Sequence, residues 1–263
     1  MRIFDPHIHM YARTTDDYEK MAVAGIEMII EPAFWLGQPR TRPGTFFDYF
    51  EHILGFEHDR AARHGIRQFV TLSMNPRESN NVELTKAVLR ELPRYLDHPN
   101  VVGVGEIGFD RITPEEEESF RAQLALARER GLPVIVHTPH VDKKRGVLES
   151  LRVLRDMGID LAKVDMDHNI EETTPISRAA GCWSGHTIYN VTKLTPERAA
   201  NIILQHGVDR MLINSSADWG PSDPLSVPKT ALELRQRGMA ADAIETLVWK
   251  NPLAFFSQSG RIR

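Results

Sequence analysis

Short runs of β-branched and apolar residues alternate along the chain with longer stretches in which apolar positions recur at helical spacing. That is the pattern of repeated βα units around a parallel sheet. Eight runs read as strands: "RIFD", "GIEMIIEP", "IRQFVTLSM", "NVVGVGEIG", "LPVIVH", "AKVDMDH", "CWSGHTIY" and "DRMLINSS". Between them, "TPEEEESFRAQLALARERG" and "TPERAANIILQHG" read as helices. Each opens on Thr-Pro, a hydroxyl for the N-cap with proline in the first turn, and each closes on a glycine, Gly131 or Gly207. Right-handed crossovers repeated eight times predict an α/β fold, the (β/α)8 TIM barrel, whose functional face lies at the carboxyl ends of the strands. The 263 residues suit one such domain over positions 1–263, with no repeat, low-complexity stretch or linker. The segment "FWLGQPRTRPGTF" after the second strand, positions 34–46 with the 34–45 loop at its heart, is long enough to fold over the barrel mouth as a lid.

Composition narrows the class. With 41% hydrophobic and 26% charged residues the chain reads as a soluble globular protein, and no apolar run approaches membrane-spanning length. The start carries no secretory pattern, so the cytoplasm is the expected compartment. The one cysteine, Cys182, has no second thiol to pair with, so any metal must rely on nitrogen and oxygen ligands. A formal net charge of −4 gives no broad basic surface for a phosphate backbone, which favours a small-molecule substrate over nucleic acid.

The positions of the 11 histidines sharpen this picture. His7 and His9 follow the first strand in "FDPHIHM", two apart and therefore on one face. His137 ends strand five and His168 ends strand six, whereas His52, His58, His64, His98 and His206 fall on helices or at their ends. Counting alternate residues back from His168 turns Val164 and Met166 into the barrel and leaves Asp165 and Asp167 against the helices. The same count puts Val102, Val104 and Glu106 on one face, with Glu106 emerging at the top. Asp218 follows strand eight in a glycine-containing loop. An isolated His-x-His or a lone loop acid arises freely, but His7, His9, Glu106, His137, His168 and Asp218 all fall at strand ends. Imidazole mixed with carboxylate suits zinc, manganese, iron or nickel.

In their order these segments resemble the TatD-like metal-dependent hydrolases of the amidohydrolase superfamily. "FDPHIH" is similar to that family's Asp-x-His-x-His opening, "VGEIGFD" to its Gly-Glu-x-Gly-Leu-Asp segment, "PVIVHTP" to its strand-five histidine and "NPLAFF" to its C-terminal ending. The resemblance implies that His7 and His9 hold one metal with Asp218, that Glu106 bridges two metals, and that His137 and His168 hold the second. Two segments depart from the family pattern: "DHNIEET" after strand six and "SSADWGPSDP" after strand eight. The segments "EPAFWLGQPRT", "HTPHVDKKRG" and "SSADWGPSDPLSVPKT" resemble a branch associated with biosynthetic gene clusters rather than with DNA degradation.

Two divalent ions at such a site would activate water, with Asp218 moving the proton, Glu106 bridging, and Asp5 orienting His7 or His9. Around the mouth, His140, Lys143, Lys144 and Arg145 after strand five and Glu31, Trp35, Arg40 and Arg42 after strand two point to an anionic small substrate. The charge run at 143–145 reads equally well as a solvated helix start. Strand seven adds His186, Tyr189, Asn190 and Lys193. The leading expectation is a binuclear hydrolase of a small phosphoester, ester or amide. A metal-dependent DNase, a metal-dependent lyase or decarboxylase, and a non-catalytic metabolite-binding barrel are the alternatives.

Overall fold

Residues 1–262 of the protein are described here from a computed structural model. All eight expected strands form: β1 (Ile3–Asp5), β2 (Ile26–Pro32), β3 (Arg67–Leu72), β4 (Val101–Gly108), β5 (Val134–His137), β6 (Val164–Met166), β7 (Trp183–Thr187) and β8 (Met211–Asn214). They pair in parallel and in sequence order, alternating with helices. The sheet curls round until β8 meets β1: beyond the strand ends, Ser216 N–H donates to His7 O (2.7 Å) and His9 N–H to Ala217 O (2.9 Å). The result is a nearly closed (β/α)8 barrel, and its seam lies directly under the first two histidines.

Two apolar layers follow from strand alternation. Phe4, Met28, Ile30, Phe69, Val102, Ile135 and Leu212 fill the lower barrel interior, and Trp249, Phe255 and Phe256 of the C-terminal segment pack against them. The opposite faces of the strands bury Val70, Val101, Val134, Val164 and Met166 against helix residues such as Leu124, Leu151 and Leu154. A side chain of this size stabilises the fold by roughly 1.5–3 kcal/mol when fully buried.

The Thr-Pro helices form as their ends dictate. Thr113 caps the helix Pro114–Arg130 by accepting from Glu116 N–H (3.2 Å), with the reciprocal bond that completes a capping box. The fully buried Glu116 carboxylate also accepts from the backbone N–H groups of Asp110, Arg111 and Ile112, which fixes the turn after β4 at the barrel mouth. Gly131 ends the helix in the left-handed conformation (φ 65°), which costs glycine little. Thr195 caps the helix Pro196–His206 by accepting from Arg198 N–H (3.3 Å), without the reciprocal bond.

On β2, Glu31 is fully buried and accepts from Tyr11 N–H (2.7 Å) and the Gln68 amide. Burial, reinforced by the nearby Glu57 carboxylate, pushes its pKa up from 4.5 to about 8. The folded chain therefore keeps a proton that the unfolded chain releases, so Glu31 makes the fold lose stability as pH rises from about 4.5 to about 8. In Glu31→Gln, denaturation midpoints should fall less steeply across this interval than in the wild type. Parallel curves for the two proteins would contradict the assignment.

Candidate metal centre

Five of the predicted ligands converge at the carboxyl ends of the strands. His7, His9 and Glu106 form one set and Glu106, His137 and His168 a second, each with its donor atoms within 4.8 Å of one another. Glu106 belongs to both sets, and only His137 among the five is partly exposed.

Tautomers decide what these sets can hold. His7 Nδ1–H donates to Asp167 Oδ2 (2.6 Å) and His9 Nδ1–H to Pro32 O (3.2 Å), so both Nε2 atoms are left as lone pairs. Those two Nε2 atoms lie 3.0 Å apart. With both rings neutral neither donates to the other, and their approach is that of two lone pairs converging on a shared cation. In the second set His168 Nδ1–H donates to Thr187 Oγ1 (2.7 Å), which aims its Nε2 at Glu106 Oε1 and at His137 Nδ1, both at 3.1 Å. The residues present fit two divalent ions sharing one carboxylate.

The electrostatics agree. Burial alone would raise Glu106, but His7, His137 and His168 hold it well below the usual carboxylate range. Burial would depress His7, yet Glu106 and Asp167 lift it above its ordinary value. The negative field that raises its affinity for a proton acts equally on a metal ion. His9 and His168 are held well below the usual histidine range, first by burial, and so stay neutral as ligands must.

Two expectations about strand faces are overturned. Val164 and Met166 pack against the helices, whereas Asp167 turns inward to His7 and to Asn214 Nδ2 (3.0 Å). Asp165 also faces the interior: a Cβ added to Gly185 would sit 2.6 Å from its Oδ1 and 2.4 Å from Asp167 Oδ1. The cause is local. β6 ends at Met166 and His168 adopts φ 62°, which breaks the two-residue period and lets Asp167 and His168 face the same side. In β4, Val102 is interior but Val104 is helix-facing, because the pairing with β3 shifts register between Val101 and Gly103; the pairing with β5 shifts again between Val104 and Ile107 before Glu106 reaches the mouth.

The remaining predicted residues divide. Asp218 lines the same cavity but lies outside both close-packed donor sets; its Oδ1 accepts from Tyr189 O–H (3.1 Å) and Gly220 N–H (2.7 Å). His140 lines the cavity and is pushed down to about 3, mainly by burial and then by Lys193. Asp5 does not touch either imidazole: its Oδ1 accepts from the backbone N–H of His7 (3.2 Å) and Ser215 (3.3 Å). The imidazoles are oriented instead by Asp167 and Pro32. Arg40 is drawn out of the cavity into a buried ion pair with Glu78, stacked over Phe46 at 3.7 Å. His186 is fully buried between Thr174 Oγ1 and Leu212 O. Lys143 turns back to Thr138, while Lys144 and Arg145 are exposed as a solvated helix start. Tyr189 acts through Asp218.

Above the ligands, Phe34 stacks on His9 (3.7 Å between centroids) and on Trp219 (5.1 Å), joining the loops after β2 and β8. Arg40 also donates to Phe34 O (2.8 Å), so the segment anticipated as a lid is tied down. The cavity beneath, about 190 Å³, is bordered by Trp35, Arg77, Asp110, His140, Lys193 and Trp219. Asp167 and Thr187 were missed as parts of the site, although the Val-Asp-Met-Asp alternation carried the signal. The helix-facing side of a barrel strand must be apolar, which sends both acids inward.

Residues 4–257 match the family described as TatD related DNase. This chain belongs to the TatD family. An "uncharacterized metal-dependent hydrolase" of Methanocaldococcus jannaschii is 31% identical over 254 residues, 97% of this chain and 99% of the relative. A 72-residue stretch is 38% identical to the 3'-5' ssDNA/RNA exonuclease TatD of Musicola paradisiaca, 26% of each chain. The crystal structure of a TatD-like protein from Archaeoglobus fulgidus superposes with a TM-score of 0.79 at 26% identity, covering 96% of this chain and 99% of that one. The TatD-family chain described here is thus a metal-dependent hydrolase with a TIM-barrel fold, and among its described residues no helix is long and apolar enough to cross a membrane.

Because Asp167 fixes the His7 tautomer, Asp167→Asn should weaken metal retention about 10–100-fold, read as metal content after chelator titration. Retention equal to the wild type would show that the Asp167 hydrogen bond does not set ligand geometry.

Proposed function

We propose that this TatD-family protein is a binuclear hydrolase that directs an activated water at a small phosphoester, ester or amide. The observation that supports this best is Glu106, one carboxylate shared by two sets of converging imidazole lone pairs. A pair of divalent ions held there would polarise the scissile oxygen and lower the pKa of water from 15.7 toward about 7. Zinc, manganese, iron and nickel all suit these nitrogen and oxygen donors.

The chain's own residues then do the rest. His7 and His9 would hold one ion and His137 and His168 a second, with Glu106 available to both. Asp218, at the open side of the first set, would take a proton from the attacking water and return it to the leaving atom. Tyr189 O–H, Gly220 N–H and Ser222 Oγ surround this carboxylate and keep it aimed into the cavity. Phe34 and Trp219 roof the first site and limit access of bulk water to it.

A nucleic-acid substrate is the second reading. The family's description and the exonuclease relative favour it, as do Trp35 and Trp219 at the mouth, where bases could stack. It requires salt-sensitive binding of DNA or RNA ends. The small cavity and the formal charge of −4 favour the small molecule.

Protein purified without chelator should carry close to two transition-metal ions per chain, and Glu106→Ala should lose most of both. Metal-free protein that also refuses added zinc or manganese would sink the reading. Asp218→Asn should lower kcat by at least about a hundredfold with the second ion retained, the usual scale for a lost acid–base group. A variant with undiminished turnover would remove Asp218 from the mechanism.

A further inference from the structure

Two cations border the cavity, and neither is used by the metal ligands or by the fold. Lys193 enters from the loop after β7; among the described residues its Nζ makes no hydrogen bond or ion pair, its one contact being a distant approach to the Tyr189 ring at 5.6 Å. Arg77 enters from the loop after β3; among the described residues its guanidinium likewise has no hydrogen bond or ion pair, and its Cζ lies over the Trp35 ring at 3.8 Å. The other basic residues near the mouth are engaged. Arg40 pairs with Glu78, Lys143 bonds Thr138, Arg145 faces Asp142 and Arg111 faces Asp110.

An ammonium in a cavity wall is costly to desolvate, and desolvation does hold Lys193 below its ordinary value, opposed by Glu106, Asp167 and Asp218. Glu106 and Asp218 are carboxylates that two divalent ions would neutralise, and Asp167 is already bonded to His7. With the ions in place Lys193 adds to an excess of positive charge instead of relieving a negative one. An anion joining it there offsets that charge. Arg77 presents its donors farther out, with the stem held by the indole face. The cavity also continues past Arg77, Asp110 and His140 into an open trough bordered by Arg111 and Arg145, which gives a substrate room beyond the reacting bond.

We propose that Lys193 and Arg77 are an anion-recognition pair, and that the substrate carries a phosphate or carboxylate group which Lys193 holds beside the metal ligands and Arg77 holds at the mouth. This rests on the hydrolase reading for its chemistry but not for its binding. Lys193 is a recognition residue: it moves no proton and makes no bond.

The test is calorimetric titration of the metal-loaded protein with inorganic phosphate, comparing wild type, Lys193→Met, Lys193→Arg and Arg77→Met, with metal content and melting temperature measured on each. Lys193→Met should bind phosphate at least about tenfold more weakly at unchanged metal content, as expected for a lost charge-assisted hydrogen bond, and Lys193→Arg should recover part of the loss. Arg77→Met, at an exposed position, should weaken binding about threefold or more. Should Lys193→Met fail to fold or to keep metal, Lys193→Arg and Arg77→Met decide: equal affinity in both and in wild type overturns the pair. Equal affinity across all four proteins means that the metals alone hold phosphate, and no binding by wild type means that there is no anion site; either result overturns the proposal. With an active wild type, the KM for an anionic ester should rise in Lys193→Met while that for a neutral ester stays put. Lys193-dependent phosphate binding in a protein that hydrolyses no ester would retire the hydrolase reading and leave the anion pair standing.

Discussion

Two imidazole nitrogens that both carry lone pairs repel at 3.0 Å, and in this barrel His7 and His9 are held at that distance by bonds on their far sides. The site depends on this enforced opposition. Asp167 and the Pro32 carbonyl hold the one N–H of each neutral ring, so the contact is relieved only by a cation between the rings, whether a metal ion or the proton that His7 is biased to take up. The surroundings are arranged to keep the anchors fixed: Asp167 is itself gripped by the His168 N–H (2.7 Å) and by Asn214 Nδ2 (3.0 Å), and Gly185 leaves the space its carboxylate occupies. Folding free energy thus goes into creating an electrostatic demand that only a cation meets, and metal binding returns stability to the whole barrel.

The fold was legible because a parallel barrel is written in two independent signals. Strand-length apolar runs recur at a βα interval, and the helices carry their own start and stop residues, as at Thr113 and Gly131. The candidate metal donors His7, His9, Glu106, His137 and His168 were legible because each stands at a strand end, where barrel geometry brings distant segments together. What alternation could not carry was the orientation of residues just past a strand. His168 leaves the extended conformation, so counting by two from it turns β6 inside out, and β4 slips its register, so counting back from Glu106 misplaces Val104. Loop side chains were least legible of all. Nothing in "QPRTRP" says that Arg40 will find Glu78, because that partner lies 38 residues away across a turn.

The same logic separates ligands from their supports. Asp5 stands closest in sequence to the histidines, yet it bonds backbone at the seam between β1 and β8 and, raised to about 6 by burial, works as a brace for the barrel's closure. Asp167, 160 residues from His7, orients the ring. Proximity along the chain favoured the wrong acid, since a side chain on a strand points away from its neighbours and toward the opposite wall.

The roof over the first site has a consequence for exchange. Phe34 is pinned from below by the His9 ring, from behind by Arg40, and from above by Trp219, so the mouth is rigid on the side where hinged enzymes keep a flap. A ligand entering such an opening orders little protein, and its residence is governed by how well it fits rather than by the timing of a door. A fixed opening of this kind would sort ligands by size at the threshold, before they reach the histidines. New specificities can then arise by exchanging a few threshold side chains while the charged interior is left untouched.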